Sequence, residues 1–69
     1  MEFSRHARNR MRLYGLTIAE VEASIRAPRE VERDDQGNAL LVGTVGGRRL
    51  MTVLAADRPG YVITLWEET

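Results

Sequence analysis

The hydrophobic pattern of this chain changes its period at Pro28. Before this proline, apolar residues recur at the spacing of three and four residues that is typical of amphipathic helices. After it, apolar and polar residues alternate, or apolar residues form short runs bounded by turn residues, which is typical of strands. Neither layer can bury its apolar side alone. The sequence therefore predicts an α+β fold in which helices cover one face of a sheet.

The first helix is predicted over about residues 4–15. Ser4 is a favourable N-cap, and Gly15 suits the C-terminal end. His6 and Arg10 lie one helical turn apart and are expected on the flank of the buried face, partly covered. The predicted core face consists of Phe3, Ala7, Met11 and Tyr14. The predicted solvent face carries the arginines Arg5, Arg8 and Arg12.

The second helix is predicted over about residues 17–27. Thr17 and Glu20 fit a capping box, and Pro28 disfavours helical geometry in the residue before it. Its buried stripe is predicted to consist of Ile18, Val21 and Ile25. Strands are predicted over about residues 29–33, 39–46, 48–56 and 61–67. We expect an antiparallel meander of three or four strands and a single domain over residues 1–69.

Composition excludes several classes of function. The 69 residues include no cysteine and one histidine, so disulfides, thiolate metal sites and His-rich metal sites are excluded, and no cofactor or metal is expected. No apolar run approaches the roughly 18 residues of a membrane span. The charged N-terminus lacks the apolar segment of a signal peptide. We therefore expect a cytoplasmic protein that makes no contact with a membrane.

Charge is unevenly distributed although the formal net charge is zero. Residues 1–15 contain four arginines and one glutamate, whereas residues 16–35 contain three arginines and six acidic residues. All ten basic residues are arginine, whose planar guanidinium suits carboxylates and phosphates. With no net positive charge, long-range attraction to nucleic acid is expected to be weak, so that any such binding has to be local.

Four segments resemble the motifs of one bacterial family of domains of unknown function. Residues 3–11, FSRHARNRM, resemble the family's F-S-x-H-A-x-x-R-M opening. Residues 14–21, YGLTIAEV, resemble R-G-I-[ST]-x-x-x-V. Residues 47–50 and 62–66 resemble the later G-R-x-L and I-x-T-[VL]-[YW] steps. The chain has Tyr14 where the family usually has arginine. If that arginine binds a phosphate in the family, this chain lacks the contact.

The helix–helix–sheet layout is similar to that of small bacterial toxins of the RelE, ParE and BrnT type. Some members of that group cleave RNA, while others bind gyrase or only their antitoxins. The similarity of layout implies a place in a toxin–antitoxin-like system, but a fold does not determine a function. It leaves a catalytic and a non-catalytic hypothesis open.

The catalytic hypothesis is a metal-independent ribonuclease. Cleavage through the ribose 2′-hydroxyl needs a base, an acid and cations that stabilise the charged phosphorane. Histidine titrates nearest to neutral pH, and Arg10 lies one turn from His6, the only histidine. Because neighbouring residues of a strand point to opposite faces, only one of Arg48 and Arg49 is expected on the helix side. These four residues are the candidate catalytic set.

Two non-catalytic hypotheses stand beside it. The first, which we prefer, is an interaction module that binds a second copy or a small protein such as an antitoxin, because a thin core often gains stability by association. Edge strands and Trp66 would supply the contact surface. The second is RNA binding, for which the candidate residues are Arg5, Arg8, Arg12, Tyr61 and Trp66. In these readings His6 locks the first helix through a backbone carbonyl, and Arg10 pairs with Glu20 or Glu67.

Overall fold

The structure, a computed structural model, describes residues 1–68. The elements in chain order are β1 (Glu2–Phe3), α1 (Arg5–Tyr14), α2 (Ile18–Arg26), β2 (Glu30–Arg33), β3 (Ala39–Val45), β4 (Arg48–Leu54) and β5 (Tyr61–Glu68). Helix α1 packs on β5 and α2 packs on β3. The predicted α+β fold, with both helices against one sheet, is confirmed. Most helices and strands are one or two residues shorter than predicted, whereas β5 is one residue longer.

The sheet has five strands in the order β1-β5-β4-β3-β2. Strands β2 to β5 form the predicted antiparallel meander. Strand β1 pairs in parallel with β5, placing Glu2 opposite Tyr61 and Phe3 opposite Val62. The sheet therefore has one strand more than the predicted meander, and this added parallel strand makes the sheet mixed. A strand of two residues is too short to show an alternating pattern, and its partner lies at the other end of the chain.

Helix α1 begins and ends as its capping residues predict. The hydroxyl of Ser4 accepts a hydrogen bond from Ala7 N and donates one to the carbonyl of Ile63, so the N-cap also ties α1 to β5. Gly15 ends the helix with φ of 68°, a left-handed conformation that glycine adopts at little cost. Ala7 and Met11 are buried beneath the helix.

Helix α2 approaches the sheet closely through small residues. Val21 and Ser24 are its buried residues, and a Cβ on Gly43 of β3 would lie 2.8 Å from the Ser24 carbonyl oxygen. Ile18 was predicted to be buried, which is wrong, because 56% of it is exposed. The contact between Ser24 and Gly43 determines which side of α2 faces the sheet, and Ile18 in the first turn lies away from it.

The capping box of α2 yields a prediction about stability and pH. Glu20 N donates to the Thr17 hydroxyl, and Thr17 N donates to the Glu20 carboxylate at 2.9 Å. Hydrogen bonds with Thr17 lower the pKa of Glu20. The one from the Thr17 backbone has the largest effect, and the one with the Thr17 side chain has the next largest. Thr17→Ala is expected to lower the free energy of unfolding by about 1 kcal/mol, measured by urea denaturation.

The Glu20→Gln variant isolates the charge, because glutamine also fits a capping box. A lowered pKa stabilises the fold above the unfolded-state value of 4.5, and that contribution is lost as pH falls through the folded-state pKa. Wild type is therefore expected to be more stable than Glu20→Gln at neutral pH, and the difference should disappear in acid. A difference that is constant from pH 7 to acid would contradict this assignment.

The two faces of the sheet differ in what covers them. The helix face carries the core, formed by Phe3, Ala7, Met11, Leu16, Val21, Val45, Leu50, Val62 and Leu65. On the opposite face, which we call the outer face, Val42 lies opposite Met51, and Met51 lies opposite Trp66. Neither helix lies over this apolar row. Val42 and Met51 are nevertheless only 5% and 6% exposed.

Candidate functional site

Helix α1 carries its polar residues on two separate flanks of the buried face. His6, Arg10 and Tyr14 follow one flank at intervals of four residues, while Arg8 and Arg12 lie on the other flank. Arg10 is half-buried, as predicted, and Arg5, Arg8 and Arg12 are exposed, also as predicted. His6 was expected to be partly covered, but it is exposed. It makes no side-chain hydrogen bond within the part of the chain that the structure describes.

The first flank leads to a polar cluster where α1 ends. Arg10 Nη1 donates to the Tyr14 hydroxyl at 3.2 Å, and Arg48 Nη1 donates to the Tyr14 carbonyl oxygen at 3.0 Å. The same Nη1 lies 2.7 Å from Glu67 Oε1, an ion pair whose angle is not that of a hydrogen bond. The Glu67 side chain is 14% exposed and that of Arg48 is 41% exposed. Arg48 therefore anchors the C-terminal end of α1 to β4 and β5.

Arg48 and Arg49 point to opposite faces of the sheet, as the alternation of a strand requires. Arg48 is the one on the helix side, and Arg49 lies on the outer face. There the Arg49 guanidinium is 3.8 Å from a Glu30 oxygen and 3.7 Å from a Glu68 oxygen. The four candidate catalytic residues consequently do not converge. Arg10 and Arg48 both contact Tyr14, whereas Arg49 is separated from them by the sheet.

The candidate RNA-binding residues are also divided among several surfaces. Tyr61 stands at the start of β5 beneath the Arg58 guanidinium, which lies 4.2 Å from the centre of its ring. Trp66 lies five residues further along β5, roughly 16 Å away, on the outer face. Arg5, Arg8 and Arg12 belong to α1, on the helix side of the sheet. No single surface brings the aromatic and basic candidates together.

The four arginines of α1 form no ion pair with the residues that the structure describes. No carboxylate oxygen of residues 1–68 lies within 4.0 Å of Arg5, Arg8, Arg10 or Arg12. Glu2, the nearest acidic residue in sequence, pairs instead with Arg58 at 2.8 Å. The α1 surface is therefore a patch of uncompensated positive charge on a chain whose formal net charge is zero.

Pairing of Arg10 with Glu20 or Glu67 is not observed, because Glu67 pairs with Arg48 and Glu20 with the Thr17 backbone. Analysis of the sequence missed Val42 and Met51 as members of a surface row with Trp66. Alternation alone places them on one face, but only the register between strands aligns them.

The part of the chain that the structure describes has neither a metal-ligating cluster nor a membrane-spanning helix. Within residues 1–68 no three His, Asp or Glu side chains gather in a geometry that would hold a metal ion. The longer of the two helices has 10 residues, and neither has the length and apolar character needed to cross a membrane.

A family model matches residues 3–67, which is nearly the whole chain, and its description is "Domain of unknown function (DUF4258)". Neither a curated protein nor a solved structure matches the chain. The match confirms the expectation, drawn from the sequence, of a family of domains of unknown function. The chain belongs to the DUF4258 family of domains of unknown function.

Proposed function

We propose that this protein is a small interaction module that associates with a second copy of itself through the outer face of its sheet. The observation that supports the proposal is the apolar row of Val42, Met51 and Trp66, which crosses three strands with neither helix over it. Val42 and Met51 are already 5% and 6% exposed, so the surface that a second copy would cover belongs mainly to the partly exposed Trp66. Burial of apolar surface stabilises association by roughly 25 cal/mol per Å². A domain with a core as thin as this one gains from that burial.

The edges of the sheet are less suited to self-association. When two β2 strands pair antiparallel about a two-fold axis, they form one continuous sheet. Residues that lie opposite one another across the axis then point to the same face of that sheet. The possible registers then place Glu30 opposite Glu32 of the second copy, or Glu32 opposite itself. Like charges in these positions are destabilising. Strand β1 at the other edge has only two residues. Association through a face is therefore favoured over association through an edge.

Charges around the outer face do not oppose the contact. Arg49 lies between Glu30 and Glu68, at 3.8 Å and 3.7 Å, so this part of the rim carries both signs. The formal net charge of the whole chain is zero. Two copies consequently approach without long-range repulsion.

The size of the face limits the strength of the dimer. The molecule measures 29 × 25 × 18 Å along its principal axes, and only part of its broadest side belongs to the apolar row. Stable interfaces bury roughly 800 Å² on each partner. We therefore expect a weak dimer, whose population depends on protein concentration in the micromolar range and above.

Truncation of the tryptophan is the direct test. Wild type is expected to sediment faster as its concentration rises, and Trp66→Ala to remain a monomer under the same conditions. Because Trp66 is the only tryptophan, its emission should also shift to shorter wavelength as wild type is concentrated. Thr64→Arg, a second change to the outer face that keeps the tryptophan, should abolish both effects. Sedimentation velocity and fluorescence are the measurements.

The matched control is Leu13→Ala on α1, where 71% of the leucine is exposed on the opposite side of the molecule. It is expected to associate like wild type. Circular dichroism should show that all variants keep the fold. A wild type that stays monomeric at every concentration, or a Trp66→Ala variant that associates equally well, would refute the proposal.

The ribonuclease and RNA-binding hypotheses stay predictions. The contact between Arg10 and Tyr14 keeps a cation near the end of α1, but no hydrogen bond within residues 1–68 orients His6 toward it. A small protein partner such as an antitoxin also stays a prediction, and a toxin–antitoxin role with it.

A further inference from the structure

An apolar hollow opens on the helix side of the molecule, between α1 and the start of α2. We call it the α1–α2 hollow. Its lining residues are Phe3, Arg8, Met11, Arg12, Leu16 and Ile18. Met11 and Leu16 are buried at its base, at 7% and 8% exposure, whereas Ile18 is 56% exposed beside it. A large apolar side chain next to an apolar hollow is a surface that gains free energy when a partner covers it.

The charged residues of the hollow lie one helical turn apart on α1. Arg8 Nε donates to the Phe3 carbonyl at 3.4 Å, which holds this side chain at the rim and leaves its terminal nitrogens without a partner among residues 1–68. Arg12 makes neither a side-chain hydrogen bond nor an ion pair within the same residues. Two guanidinium groups beside an apolar base favour an occupant that is apolar in one part and anionic in another.

We propose that the α1–α2 hollow is a docking site for an acidic segment of a partner protein. One apolar side chain of that segment rests against Met11 and Leu16, and carboxylates on either side of it pair with Arg8 and Arg12. The hollow has a volume of about 290 Å³. This volume has room for one anchoring side chain, and it lies at the small end of the range for small-molecule pockets, which begins at roughly 300 Å³.

Chemistry favours a protein over RNA as the occupant. The residues at the base are aliphatic or thioether side chains, and Phe3, the only aromatic there, is 8% exposed, so it offers no platform on which a base can stack. The formal net charge of zero supplies no long-range attraction to a polyanion. The site is independent of the proposed dimer, because the hollow and the outer face lie on opposite faces of the sheet.

Selection from a library of random peptides displayed on phage tests the proposal, with the full-length protein as bait. Enriched peptides are expected to contain a large apolar residue flanked by Asp or Glu. A synthetic copy of the best peptide, carrying a fluorophore, should bind wild type with an affinity that falls as salt is raised. Its affinity for the Arg8→Glu/Arg12→Glu variant should be weaker by roughly tenfold or more, and Ile18→Asp should weaken it as well.

Arg26→Glu is the control with the same change of charge. Arg26 is exposed and lies eight residues beyond Ile18 along α2, roughly 12 Å away, so peptide binding should be unchanged. Three outcomes would overturn the proposal. In the first, the selection enriches no peptide or enriches basic peptides. In the second, the Arg8→Glu/Arg12→Glu variant binds the peptide as tightly as wild type does. In the third, wild type binds single-stranded RNA more tightly than the peptide, and the double variant loses that RNA binding.

Discussion

Leu65→Ala is expected to remove roughly half of the stability of this protein. Leu65 is fully buried in β5 and belongs to the cluster between the helices and the sheet. Replacement of such a leucine costs about 2–5 kcal/mol, because transfer free energy is lost and a cavity is left. A domain of 69 residues is stable by roughly 3–10 kcal/mol in total. Urea denaturation followed by circular dichroism should show a large fall in the midpoint.

The control for Leu65→Ala removes the same atoms from the surface. Leu13 is 71% exposed, and both leucine and alanine favour helices, so Leu13→Ala should change the free energy of unfolding by less than about 0.5 kcal/mol. Similar losses in the two variants would mean that Leu65 does not occupy the tightly packed position described. The fluorescence of Trp66, the only tryptophan, provides a second measure of unfolding when the protein is too dilute to associate.

Gly43→Val is expected to separate α2 from the sheet. A Cβ on Gly43 would lie 2.8 Å from the Ser24 carbonyl oxygen and 2.9 Å from the Ser24 Cβ. The oxygen belongs to the backbone of α2, so the helix as a whole has to move. Overpacking of this kind costs about 1–3 kcal/mol, a range that Gly43→Ala should reach and Gly43→Val should exceed. The measurement is again urea denaturation.

Thr44 provides the control for the glycine substitution. It is exposed on the outer side of the same strand, so Thr44→Val should leave stability nearly unchanged while confirming that β3 accepts a valine. Ser24→Gly in the Gly43→Ala background removes the Cβ contact but not the backbone oxygen, so it should rescue stability only in part. A Gly43→Ala variant as stable as wild type would contradict the close approach of α2.

Local patterns predicted most of the elements of the fold. Ser4 and Thr17 marked the starts of both helices because N-caps act through hydrogen bonds within a few residues. Four strands of the sheet followed from alternation and from turn residues. The two-residue strand β1 was not predicted, because Glu2 and Phe3 alone do not indicate a parallel pairing with Tyr61 and Val62.

Prediction was less successful for the candidate site. The flank shared by His6 and Arg10 followed from helical spacing, but helical spacing alone does not determine how much of a flank residue is covered, and His6 is exposed. Alternation showed that only one of Arg48 and Arg49 faces the helices, without showing which. The hydrogen bond from Arg48 to the Tyr14 carbonyl answered that question, since it joins residues 34 positions apart in the chain.

The sequence by itself determined the helices, the meander, the absence of cysteine chemistry and the concentration of arginine on α1. These properties depend on single residues or on spacing along one element. Only the tertiary structure decided the rest: the addition of β1, the alignment of Val42, Met51 and Trp66, and the hollow beside Arg8 and Arg12. Such features depend on register and on the angle between layers, which are determined by contacts between residues far apart in the chain.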